Sequence, residues 1–139
     1  FSRETAVSID IHASKGIIWN LLTNASDYPR WNSTIVSIEG KIENDGKIKL
    51  KSTLDEKREF KLKVKEFERE NRLVWGDAMG KRVYTLTSIG NEQTNFSMEE
   101  KIGGPMFPLF SKMIPPFDQS FEQFAIDLKK EAESIQNSK

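Results

Sequence analysis

The last quarter of the chain, Pro115 to Ser138, most constrains what this sequence can fold into. Apolar residues fall at Phe117, Phe121, Phe124, Leu128, Ala132 and Ile135. Steps of four and three place them on one face of a 3.6-residue helix. The other face carries Asp118, Glu122, Asp127, Lys130, Glu133 and Asn137. Pro115 and Pro116 stand where a helix tolerates proline, just before or within its first turn. A helix with three phenylalanines at one end needs a broad apolar surface to lie on. The upstream sequence offers one, an antiparallel sheet.

That sheet is written in alternation. Residues 5–11 place Val7, Ile9 and Ile11 on one face and Ser8 and Asp10 on the other, predicting a first strand. Ser14 is an N-cap for a short helix with Ile17, Ile18, Leu21 and Leu22 as its buried face and Trp19 packing on its flank. The stretch from Asn24 to Asn32 is rich in capping and turn residues and leaves room for a second short helical turn. Alternating segments follow at Ile35–Ile42, Lys47–Thr53, Glu59–Phe67, Leu73–Asp77, Arg82–Ser88 and Thr94–Ile102. Turn chemistry joins them: Asn44-Asp45-Gly46, Glu70-Asn71, Met79-Gly80 and Gly90-Asn91. No repeat, linker or low-complexity tract divides residues 1–139, so one domain is expected. The class is α+β, an antiparallel meander closed by the long C-terminal helix.

Composition removes several functions. The 21 basic and 21 acidic residues cancel, leaving no net positive field to hold a phosphate backbone, and nucleic acid is not an expected partner. Without cysteine there is no disulfide, thiolate nucleophile or thiolate metal ligand, and the single histidine, His12, cannot build a zinc site alone. No apolar run approaches the ~20 residues of a membrane span. No secretory segment is visible either, so a cytoplasmic protein is expected; a start at Phe1 instead of Met leaves a removed leader open.

The third and fourth strands separate their faces most cleanly. Ile48, Leu50, Phe60, Leu62 and Val64 occupy even positions, and Lys47, Lys49, Lys51, Lys61, Lys63 and Lys65 odd ones. The lysines read either as a solvated outer face that also discourages edge pairing or as a docking patch for an acidic partner or anionic lipid. Glu39, Glu43, Glu59, Glu66, Glu68 and Glu70 dilute the field.

The order strand, two short helices, six-stranded meander and long helix resembles the helix-grip fold of the START/Bet v1-like (SRPBCC) superfamily. The sequence matches are similar to its polyketide cyclase/dehydrase and lipid-transport branch, found in bacteria. They are the segment from Ala13 to Trp19 leading into the first helix, Asp27-Tyr28-Pro29-Arg30-Trp31-Asn32, and the last strand from Thr94 to Gly104. The resemblance covers essentially the whole chain and implies a cavity between sheet and C-terminal helix. It does not choose one activity, because carriers, cyclases and chaperone regulators share the architecture.

Strand parity supplies the cavity wall. Leu73, Trp75, Tyr84, Leu86, Phe96 and Met98 point inward, Trp31 arrives from the helical segment, and Phe117, Phe121 and Phe124 come from the helix. The last connection, GGPMFPLFSKMIPP, is unusually apolar, whereas ordinary loops are polar. Met106 to Ile114, including Phe107 and Phe110, reads as a mobile lid over a pocket or as a plug of the core. A symmetric register about Asn91 pairs Leu86 with Phe96, Tyr84 with Met98 and Arg82 with Glu100. That last pair is either the polar end of the cavity, meeting a ligand carboxylate or hydroxyl, or a solvated salt bridge at the sheet end.

Enzymatic signals are weaker. No serine or cysteine nucleophile has a histidine partner. Asp77, Arg82, Tyr84 and Glu100 could supply acid–base groups, and Gly103-Gly104 lacks the helix N-terminus of a phosphate cradle. No cofactor, metal site or catalytic residue is expected. The expected function is binding, or transport, of a hydrophobic small molecule or lipid. The alternatives are a cyclase or dehydratase using the same cavity, and an interaction module resembling activators of the Hsp90 ATPase. Ligand identity and oligomeric state stay open.

Overall fold

The computed structural model describes residues 2–103 and 117–139. Seven strands form one antiparallel sheet: β1 (Ser2–Ile11), β2 (Ile35–Gly40), β3 (Lys47–Ser52), β4 (Asp55–Glu68), β5 (Arg72–Gly76), β6 (Gly80–Gly90) and β7 (Gln93–Gly103). Their order, β1-β7-β6-β5-β4-β3-β2, makes β2 to β7 a meander and sets β1 beside its last member. The excursion from one sheet edge to the other carries α1 (Lys15–Thr23), a 3-10 turn (Ala25–Asp27) and α2 (Tyr28–Trp31). The long helix α3 (Asp118–Asn137) packs on β1, α1 and α2. This is the α+β helix-grip arrangement the sequence implied. Asp55–Arg58 and Gly80–Lys81 extend the expected strands, with Asp55 paired to Ser52 and Lys81 to Gly76 beside their turns.

The local devices are legible. Ser14 caps α1 by accepting from the Ile17 amide at 3.4 Å. The helix buries Ile18, Trp19, Leu21 and Leu22, while Ile17 is half-buried. The face is turned toward Trp19 because Phe67 offers it an edge-on ring 5.2 Å away. In α3 the expected stripe is buried from Phe117 to Ala132, with Ala125 added to it. Register shifts in β2, β3 and β4 lie near Ile35/Ser37, Leu50/Ser52 and Val64/Glu66. Such bulges bend and twist strands, here on the half of the sheet away from β1.

Polar ties fasten α3 unevenly along its length. The buried Asn32 side chain donates to the Phe124 carbonyl at 3.3 Å and accepts from the Thr34 amide and hydroxyl at 3.1 and 2.6 Å. Ser33 donates through its amide and hydroxyl to Asp127 at 2.8 and 2.7 Å. Arg30 bridges Asp27 and Glu131, and Glu133 accepts from the His12 amide at 2.8 Å. These ties lie from Phe124 onward. At the other end Thr5 donates its hydroxyl to Asp118.

The six lysines of β3 and β4 lie on the outer face, with Lys47 opposite Lys63 and Lys49 opposite Lys61. Such pairs repel, and Glu39 opposite Lys49 and Asp45 at 3.7 Å from Lys63 offset part of it. No described helix is long and apolar enough to cross a membrane.

Candidate functional site

One cross-strand row near the end of the sheet builds the polar part of the inner face. Val64 lies opposite Trp75, Trp75 opposite Arg82, Arg82 opposite Glu100, and Glu100 opposite Thr5. The next row sets Tyr84 against Met98, and the one after sets Leu86 against Phe96. The hairpin register is the one symmetry about Asn91 implied. Gly76 makes the β5–β6 crossing tight enough: a Cβ there would meet the Gly80 carbonyl oxygen at 2.3 Å.

At this end of the sheet lies a pocket of about 140 Å³. Leu50, Phe60, Leu62, Trp75, Ile102 and Phe117 give it apolar walls. Ser52, Leu54, Asp55 and Arg58 on the β3–β4 hairpin, with Asp77, Met79 and Lys81 around the β5–β6 turn, surround its mouth. Arg82 and Glu100 form its polar end, Nε to Oε1 at 2.8 Å, with side chains only 16% and 18% exposed. The Arg82 guanidinium also lies 4.8 Å from the Phe121 ring centroid, a cation–π contact, and its Nη1 donates to the Tyr84 hydroxyl at 3.4 Å.

The structure divides the expected residues into two groups. Trp75, Arg82, Glu100 and Phe117 line the pocket. Trp31, Tyr84, Phe96, Met98, Phe121 and Phe124 are buried but lie off its walls. Phe124 stacks with Tyr84 and Phe96 and meets Trp31 edge-on, with centroids 5.7 to 6.3 Å from its own. Large rings that interlock fill space, so the pocket is displaced from the sheet centre to its end. Phe107, Phe110 and the whole of Met106 to Ile114 lie outside the described residues. Leu50, Phe60, Leu62 and Arg58 line the pocket without having been expected as site residues, although their shared even parity in β3 and β4 is a usable signal. Among buried side-chain polar atoms of the described residues, Trp31 Nε1 has no partner. Also among these residues, no group of three His, Asp or Glu converges as metal ligands.

Burial and neighbouring charges act on Arg82 and on both tyrosines. Burial works against the charge on Arg82, but Glu100 and Tyr84 outweigh it and hold the guanidinium firmly protonated. Burial raises the Tyr84 hydroxyl to about 12, against the opposing pull of Arg82. Tyr28 is raised well above its ordinary value, first by burial, and its hydroxyl donates to the Leu22 carbonyl at 2.6 Å. These are the only two tyrosines. An ultraviolet titration of folded protein should therefore show no tyrosinate step near pH 10, while urea-unfolded protein shows both. A raised folded pKa contributes stability that is complete below the unfolded value. For Tyr84 that contribution is lost as pH rises from about 10 through about 12. A full step near pH 10 in folded protein would contradict the buried placement.

No family model and no curated protein matches the sequence. Solved structures do. A START superfamily protein from Mycobacterium smegmatis is 16% identical with a TM-score of 0.69, covering 95% of this chain and 98% of that one. Norcoclaurine synthase from Thalictrum flavum, a point mutant in complex with a transition-state analogue, is 12% identical with a TM-score of 0.70, covering 97% and 96%. A di-domain ARO/CYC protein from the steffimycin biosynthetic pathway is 10% identical with a TM-score of 0.70, covering 96% of this chain and 46% of that one. At these identities the likeness establishes the fold alone, a helix grip.

Proposed function

From this fold and this pocket, we propose that residues 1–139 act as one ligand-binding domain that takes a hydrophobic small molecule or lipid between the sheet and the start of α3. The observation that carries the reading is the pocket itself, apolar walls around a single paired polar end. Such a cleft suits a ligand that buries an apolar body and is oriented by a few placed polar groups. The similar structures include a START superfamily member and an ARO/CYC protein, which supports a ligand-holding use of the fold.

A cyclase or dehydratase would need an acid or base able to exchange a proton near neutral pH. Arg82, held charged, and Tyr84, raised to about 12, do not fit that role, and the apolar walls favour binding. An interaction module needs no internal pocket. Native mass spectrometry of protein purified from its own host, followed by titration of a fluorescent fatty-acid analogue, tests the proposal. A retained apolar compound, or saturable probe binding competed by apolar molecules, is expected. Neither a retained compound nor probe binding would sink the reading and promote surface interaction.

A further inference from the structure

The outer face of the sheet, away from α3, carries a charge pattern that an apolar pocket does not explain. Cross-strand pairing sets Lys47, Lys63, Gly76, Lys81 and Lys101 in one row across β3 to β7. The neighbouring row sets Lys49 beside Lys61. All six lysines are exposed. Like charges directly opposite one another destabilise a sheet, so this pattern works against the fold. Lysines are often placed to keep a sheet edge from pairing. Here the edges are β1 and β2, neither of which contains a lysine, and the six lie on strands between them. The acids of this face stand at its margins. Glu4 and Glu39 close the two rows on the edge strands, and Glu59 and Glu99 lie one row beyond on either side. Asp45 reaches Lys63 at 3.7 Å from the β2–β3 connection, with its side chain 74% exposed.

The whole chain has no net charge, so the lysines reflect sorting between sides and not an excess. On the inner side α3 carries five acids against two lysines. An anionic plane therefore turns the sheet toward itself and the helix away. From Lys47 to Lys101 the row crosses four strand spacings, about 19 Å. Positive charge spread in two dimensions matches the headgroups of a bilayer. An acidic peptide binds better along a strand edge or in a groove. We propose that the outer face of β3 to β7 docks the protein on an anionic lipid surface through this lysine array. The exposed large apolar side chains among the described residues, Leu54, Ile89 and Ile126, lie in the β3–β4 turn, at the end of β6 and on α3. None belongs to the array, so the attachment is electrostatic and salt reverses it.

The experiment sediments the full chain with vesicles of phosphatidylcholine alone and with about 30% phosphatidylserine. At low salt the protein should bind the acidic vesicles only, and about 0.5 M salt should release it. A lysine held near such a surface contributes about fivefold in affinity. Lys49→Gln with Lys61→Gln should therefore weaken binding about tenfold or more, and adding Lys47→Gln with Lys63→Gln should abolish it. Lys130→Gln with Lys139→Gln removes the same charge from exposed positions outside the sheet and should change binding less than about twofold. Both sheet variants should be no less stable to urea than the parent, because they relieve opposed like charges. Lower stability in both would make the lysines supports of the sheet and overturn the docking role. Equal weakening by the control pair would show that net charge acts and no particular face, and would overturn it. Binding to phosphatidylcholine alone, or binding that survives salt, would overturn it as well. Capture of polyglutamate without binding to acidic vesicles would overturn it in favour of an acidic protein partner. Failure to bind any vesicle sinks the docking surface and leaves the pocket reading to its own probe titration.

Discussion

Phe124→Ala should lower stability by about 3–5 kcal/mol, the range for losing a large ring from a packed core. Phe124 is 1% exposed and touches four other rings: Tyr28, Trp31, Tyr84 and Phe96. Its backbone carbonyl also accepts from the buried Asn32 side chain, so the helix is pinned there and cannot settle into the void. A site unable to collapse keeps its cavity, which puts the loss at the upper end. Phe117 gives the contrast. It is also buried, but one side faces the pocket, where fewer contacts exist to lose. Phe117→Ala should cost about 1–2 kcal/mol, within the ordinary mutational range, and should weaken an apolar probe more than it weakens the fold. Urea melts of both variants with probe titration check the order. Equal losses at the two positions would mean that the pocket end is as densely packed as the centre.

The contrast also shows what is legible in the sequence. Period-two alternation in β3, β4, β6 and β7 and the four-three stripe of α3 are direct records of which face is buried. Inward residues such as Trp75, Tyr84, Phe96 and Met98 can therefore be named from parity. The pairing of Arg82 with Glu100 follows as well, because a short hairpin turn fixes register. Parity reports facing and says nothing about where inward side chains leave space. Phe121 and Phe124 lie on one stripe with Phe117, yet Phe124 interlocks with rings from α2, β6 and β7 while Phe117 edges the pocket. That difference depends on the distance between helix and sheet at each turn. The polar ties of Asn32, Ser33 and Arg30 set that distance at one end of α3, and they join residues about a hundred positions apart. Alternation cannot record a tie of that kind. Arg58 escapes a sequence reading for another reason: a charged residue on a strand reads as outward, although its even parity places it with Phe60 and Leu62.

Glu100→Ala should cost about 3 kcal/mol, the low end of the range for leaving a buried charge without its partner. The low end applies because the two side chains keep 16% and 18% of their exposure, so water reaches them in part. The substitution strands the guanidinium over the Phe121 ring with only the long contact to Tyr84. Replacing both members, Arg82→Met with Glu100→Leu, should return stability to within about 1 kcal/mol of the parent, because apolar residues of similar volume often replace an ion pair without net loss. The double variant should still bind an apolar probe, with its affinity changed by loss of the polar end. A double-mutant cycle followed by urea unfolding measures the coupling. If Glu100→Ala cost less than about 1 kcal/mol, the pair would be a solvated surface contact, and the polar end of the pocket would lose its structural basis. If the double variant stayed as unstable as the single, the pair would belong to the framework of the sheet. Recovery of stability together with altered probe affinity is the outcome that separates recognition from support, because the fold would then stand without the pair and only binding would depend on it.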